Sequence, residues 1–178
     1  MEQAESQLTN KVAPDRIHHK AFYESPVGTL VIECDCSAII SIHFFDDPIR
    51  AEQSDDTQQC DLLKECTTQL DNYFKGVSES FNLPLSPIGT DFQKQVWQEL
   101  TQISFGKTIS YLELSKSFGD PKLTRAVGGA NGKNPIAIII PCHRVIGNDG
   151  SLTGYAGGLH RKRWLLNFEQ HAFQSQLF

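Results

Sequence analysis

The chain has 178 residues, 39% of them hydrophobic, and a formal charge of −5. That is enough to bury an ordinary core, and no run approaches the ~18 apolar residues of a membrane span. The charge is divided unevenly. Residues 1–88 hold 6 basic and 15 acidic side chains, giving −9, whereas residues 89–178 hold 10 and 6, giving +4. A polyanionic partner would therefore meet only the second half.

The first twenty residues are polar and lack the apolar core of a signal peptide, so residues 1–19 read as a flexible tail and the location as cytoplasmic. The five cysteines, at 34, 36, 60, 66 and 142, make an odd count that suits reduced thiols. Cys34 and Cys36 with His43 match no common zinc spacing, so no metal is expected. Residues 20–45 alternate in the manner of strands around the turn Ser25-Pro26-Val27-Gly28, predicting a small antiparallel sheet. After an acidic loop, Leu63, Cys66, Leu70, Tyr73 and Phe74 share one helical face, with Gly76 as the stop.

Residues 82–89 carry two prolines and a glycine and read as a linker between a support domain, 20–81, and a second domain, 90–178. Thr90 with Gln93 and Ser110 with Glu113 each form a capping-box signature. The first opens a helix through Phe92, Val96, Leu100 and Ile103, and the second a short helix ending near Phe118. Gly119-Asp120-Pro121 then turns into a further helix with Leu123, Ala126, Val127 and Ala130 on its apolar face, which is helix-turn-helix spacing. The opposite face holds Thr124, Arg125, Gly128 and Asn131. Gly128 and Gly129 cost a helix about 1 kcal/mol each against alanine, so either close helix packing or close approach of a partner surface must compensate.

The richest chemistry lies at Pro141-Cys142-His143-Arg144-Val145. Residues 136–140, Ile-Ala-Ile-Ile-Ile, read as a strand covered on both faces, with Pro141 ending regular pairing and Cys142 placed where the strand gives out. Neighbouring strand residues face opposite ways, so a water is expected to bridge Cys142 and His143. A glycine-rich wall follows, with five glycines between 147 and 158. Taken alone, the Cys-His pair also suits a buried structural thiol, a thiol hydrolase triad, or a helix-turn-helix regulator.

From Thr90 to Glu169 the chain resembles the O6-alkylguanine-DNA alkyltransferases. The resemblance is carried by Arg125-Ala126-Val127-Gly128-Gly129-Ala130-Asn131-Gly132, Asn134-Pro135, Pro141 to Ile146, Gly154-Tyr155-Ala156-Gly157-Gly158 and Trp164-Leu165-Leu166. It implies an α/β (α+β) protein: a sheet-plus-helix domain, then a helical domain with a helix-turn-helix and a short strand carrying the reactive cysteine. It implies DNA repair by direct damage reversal, in which Cys142 irreversibly takes an alkyl group, chiefly methyl, from a flipped-out guanine, one lesion per chain. His143 would receive the thiol proton through water and Glu169 would orient the imidazole. Tyr111 would contact the lesion's phosphate and base, Arg125 would fill the vacated stack, and Thr124 and Gly128 would lie on the groove face. Asn134 would pin the cysteine turn, while Val145, Tyr155 and Ala156 would receive the base. No cofactor is implied. The partner would be double-stranded DNA containing O6-alkylguanine, bound by a monomer without membrane contact, and O4-alkylthymine is left open. Ala156 stands where some relatives carry serine, and Leu123 and Thr124 where many carry alanine.

Overall fold

The computed structural model describes residues 19–35, 37–46 and 60–175. Residues 1–18, Cys36 and most of the acidic loop lie outside them, and with them most of the expected tail and the Cys36 member of the Cys34, Cys36 and His43 set. Strands β1 (His19–Ser25), β2 (Gly28–Cys34) and β3 (Ile39–Phe44) form an antiparallel sheet in sequence order. β1 thus begins one residue inside the stretch read as a tail. The turn between β1 and β2 places Gly28 at φ 109, a conformation that favours glycine, and Ser25 Oγ closes it by donating to the Gly28 carbonyl at 2.6 Å.

Helix α1 (Asp61–Phe74) packs on this sheet with Leu63, Cys66, Leu70 and Tyr73 inward, as the spacing predicts. Gly76 follows at φ 69. The connector docks along β3 instead of crossing open space. Ile39 N donates to the Pro84 carbonyl at 2.8 Å and Ser86 N to the Ile39 carbonyl at 2.9 Å.

Helices α2 (Asp91–Leu100) and α3 (Tyr111–Ser117) each open on the predicted reciprocal capping box, Thr90/Gln93 and Ser110/Glu113. Before α3 a two-residue strand, β4 (Ile109–Ser110), pairs in parallel with β5 (Val145–Ile146). A 3-10 turn, Pro121–Leu123, leads into α4 (Thr124–Gly132), and Trp97 of α2 fixes α4 by donating its indole N–H to the Ala130 carbonyl at 2.9 Å. Helix α5 (Leu159–Ser175) closes the chain. Among the described residues no helix is long and apolar enough to cross a membrane.

Residues 136–140 are buried but are not a strand. Ile136 alone bridges Ile42 of β3, anchored by Ile42 N to the Pro135 carbonyl and Ala137 N to the Ile42 carbonyl, both at 2.9 Å. Beyond it the backbone satisfies itself locally, with Ile139 N donating to Ala137 O at 2.9 Å across Ile138, whose φ is 72. Pro141, at φ −82 and ψ 59, is the centre of an inverse γ-turn in which Cys142 N donates to Ile140 O at 2.8 Å. Cys142 consequently starts a 3-10 turn, Cys142–Arg144, and a strand resumes only at Val145. The short strand expected to carry the cysteine is therefore corrected to a tight turn. The apolar run encodes burial, and local N–H satisfaction between two prolines decides the conformation.

A side chain at position 89 would run into the Trp97 ring. Gly89→Ala should therefore destabilise the fold by about 1–3 kcal/mol as overpacking, read as a lowered urea midpoint with an unchanged slope.

Candidate active site

Asn134 holds the cysteine turn from within. Its Oδ1 accepts from Ile136 N at 3.0 Å, while Nδ2 donates to the Ile140 carbonyl at 2.8 Å and reaches Cys142 Sγ at 3.1 Å. Burial pushes the Cys142 thiol up, against the pull of the Asn134 hydrogen bond and the Lys162 charge. At rest, then, the sulfur is a buried neutral thiol with a donor already aimed at it, the contact that favours a thiolate once the proton leaves.

His143 is fully buried and its Nε2 lies 2.8 Å from Glu169 Oε1. An ionised carboxylate only accepts, so this contact assigns the proton to Nε2 and leaves Nδ1 a bare acceptor. Among the described residues Nδ1 has no hydrogen-bond partner although it is buried. Burial holds the imidazole below its usual range, and the Arg144 and Lys162 charges act the same way, outweighing Glu169. Glu169 receives four further donors: Tyr73 Oη at 2.7 Å, Arg144 Nε and Nη2 at 2.9 Å each, and Gly106 N at 3.2 Å. Burial alone would raise its carboxyl, but His143 and Arg144 overcome that and bring it down to about 2. The resting pair is a carboxylate beside a neutral histidine.

Cys142, Asn134, Tyr155 and Ala156 line a cavity of about 120 Å³, together with Asn131 and with Ile42, His43 and Phe44 of β3. The Tyr155 hydroxyl is also buried and, among the described residues, has no partner. Tyr111, Thr124 and Gly128 line a shallower depression alongside, and Gly154 borders both. The Tyr111 hydroxyl accepts from Asn131 Nδ2 at 3.3 Å and donates to the Thr153 carbonyl at 3.4 Å. Thr124 presents less than its position implies, because its hydroxyl donates to Pro121 O at 2.7 Å. Arg125 is exposed on α4. A Cβ at Gly129 would meet nothing, and one at Gly128 would only reach the Tyr111 ring at 3.7 Å, so close helix packing does not require this glycine pair.

Three placements differ from expectation. Val145 is fully buried and does not line the cavity, and its carbonyl already accepts from Lys162 Nζ at 2.6 Å. Asn131 turns inward instead of onto the groove face, with Nδ2 also reaching the Cys142 carbonyl at 3.4 Å. Ala126, placed on the apolar stripe, is exposed because α4 is short and buries mainly Val127, Ala130 and Asn131.

Sequence reasoning missed Tyr73, Arg144, Lys162 and Phe44. Tyr73 had a usable signal, since a tyrosine on a buried stripe needs a hydroxyl partner. Lys162 is fully buried in α5 and ties the glycine-rich segment to it through Val145 O and, at 2.8 Å, Thr153 O. Burial brings its ammonium down to about 8, against the opposing pull of Cys142.

A buried cysteine turn beside the α3–turn–α4 pair points to a narrow class, and comparison with known proteins identifies it. Residues 91–171 match the 6-O-methylguanine DNA methyltransferase DNA binding domain, and residues 18–87 match that family's ribonuclease-like domain. The chain belongs to the 6-O-methylguanine DNA methyltransferase family. It is 45% identical to the methylated-DNA–protein-cysteine methyltransferase of Methanosarcina acetivorans over 150 residues, 84% of this chain and 96% of that protein. Against the protein of that name from Mycobacterium leprae it is 41% identical over 159 residues, 89% of this chain and 96% of the relative. Mycobacterium tuberculosis OGT, solved in complex with DNA, superposes with a TM-score of 0.78 at 42% identity, covering 86% of this chain and 94% of that one.

Tyr73→Phe removes a neutral donor from a buried carboxylate and should cost about 1–3 kcal/mol. Both His143 and Glu169 have folded-state values below their ordinary 6.5 and 4.5. Their contribution is therefore complete above pH 6.5 and is lost as pH falls toward about 2, where Glu169 protonates. In Tyr73→Phe, where the carboxylate is less well solvated, the acid limb of a urea-midpoint titration should move to higher pH.

Proposed function

We propose that this chain repairs duplex DNA by taking the alkyl group of O6-alkylguanine, chiefly methyl, onto Cys142, once per molecule. The observation that carries this reading is the cavity itself: it is lined by a thiol with an amide donor on its sulfur, beside a neutral His143 fixed by an ionised Glu169, and it opens next to the Tyr111–Gly128 depression. The relatives' name, methylated-DNA–protein-cysteine methyltransferase, describes the same reaction, and the DNA complex of the mycobacterial relative supports a DNA partner.

The division of labour follows from the chain's own groups. Residues 90–178 carry the positive charge and the reacting centre, residues 20–81 support them, and residues 82–89 connect the two. Arg125 and the flat face of α4 approach the duplex, with Thr124 and Gly128 at the contact. The target nucleotide must rotate out at an unstacking cost of a few kcal/mol, which Arg125 offsets by filling the stack. Tyr111 then contacts the displaced nucleotide. Tyr155 and the backbone at Ala156 and Cys142 receive the base, with Val145 holding the loop through its Lys162 contact.

In the chemical step the Cys142 proton passes through a bridging water to His143 Nδ1, and Glu169 stabilises the resulting imidazolium. The sulfur forms a bond to the alkyl carbon as the carbon–O6 bond breaks. The electron pair leaves with the guanine, which takes up one proton, so the thiol's proton is balanced. The product is a thioether and an intact guanine. A His–Glu pair does not cleave a thioether, so the reaction is stoichiometric. No cofactor takes part in this reading, since the alkyl group arrives on the DNA. The protein acts as a monomer, and a cytoplasmic location keeps Cys142 reduced.

Substoichiometric protein incubated with duplex carrying labelled O6-methylguanine should accept one label per chain, with a methylene-sized mass gain on the Cys142 peptide. Cys142→Ala should bind the duplex and accept none. His143→Asn should slow transfer by about 10²-fold or more. Label continuing past one per chain, or appearing on Cys142→Ala, would overturn the assignment.

A further inference from the structure

The cavity around Cys142 is not built by the second half of the chain alone. β3 ends at Phe44, whose ring joins Ile42 and His43 in the wall. That ring is held on several sides. Tyr155 meets it edge to face with centroids 6.0 Å apart, and the Arg161 guanidinium lies over it, 4.5 Å from the ring centre. The ring is packed so closely on Gly157 that any side chain there would collide with it.

Arg161 is itself fixed. Its Nε donates to the Val27 carbonyl at 2.8 Å, Nη1 donates to the Gly157 carbonyl at 3.1 Å, and the guanidinium pairs with the Asp46 carboxylate. A ring sandwiched in this way is a rigid boundary, unlike a side chain free to change rotamer when a larger ligand enters. Apart from Tyr155, assigned above to the base, the remaining apolar lining offers no comparable limit. Ala137, Gly154, Ala156 and Gly157 are small, and Ile42 is committed to the bridge that anchors the cysteine turn.

We propose that Phe44 sets the largest alkyl group this chain accepts, with Arg161 as the residue that positions its ring; the assignment rests on the alkyl-transfer reading above. Widening position 44 makes room for a bulky group, and the benzyl-to-methyl ratio separates that gain from any change in transfer itself, since the thiol and the Asn134, His143 and Glu169 contacts lie on other elements. Narrowing it works in reverse. A single methylene in a closed pocket is worth about 10- to 200-fold in discrimination, so loss of a ring is within easy reach of measurement.

The test is single-turnover transfer from duplexes carrying O6-methylguanine or O6-benzylguanine to the full chain and to Phe44→Ala, Phe44→Leu and Phe44→Trp, with thermal melting of each. The benzyl-to-methyl rate ratio should rise about tenfold in Phe44→Ala, rise less in Phe44→Leu and fall about tenfold in Phe44→Trp. Should Phe44→Ala melt below the assay temperature, the leucine and tryptophan variants decide the matter by moving the ratio in opposite directions. A ratio equal to the parent's in every folded variant overturns the Phe44 assignment alone. A parent chain that takes no methyl onto Cys142 overturns the underlying reaction instead.

Discussion

A buried carboxylate with five donors on it organises this protein. Glu169 is reached by α1 through Tyr73, by the segment after α2 through Gly106, and by the cysteine turn through His143 and Arg144. Taking an ionised carboxylate out of water costs several kcal/mol, and only a nearly complete set of partners makes that tolerable. Each of those partners must therefore arrive together with α5, which locks the two halves of the chain to one centre. Stability and reactivity draw on the same contact, since the Glu169 oxygen that binds Tyr73 also fixes the histidine tautomer.

The same burial keeps the nucleophile quiet. A thiol raised by desolvation, beside a histidine lowered by desolvation, does not ionise at neutral pH on its own. What shifts the balance is already present in part: the Asn134 amide on the sulfur, the Lys162 ammonium behind the loop, and a carboxylate ready for the imidazolium. Under the proposed reaction, such a site spares its one-use thiol from casual electrophiles until a substrate completes it.

The parts of the fold governed by near neighbours were legible in the sequence. Both capping boxes formed as written, because the reciprocal bonds span only three residues. The α1 stripe and the β1–β2 turn were equally local, and of the motif residues Asn134 pairs with Cys142 and His143 with Glu169. What escaped was decided at long range. Residues 136–140 have a strand's composition, yet a single bridge to Ile42 and two flanking prolines leave them a turn. Phe44 sits 98 residues before Cys142 in sequence, and no local period marks it as a wall of that cavity. Asn131 looked like a surface residue because helical phase alone ignores how far the neighbouring turn reaches over the helix end.

One side-chain amide joins two surfaces that would otherwise be separate. Asn131 Nδ2 touches the Tyr111 hydroxyl on the groove side and the Cys142 carbonyl on the other. The position of the Tyr111 hydroxyl and that of the peptide carrying the sulfur are thus tied to the same amide nitrogen.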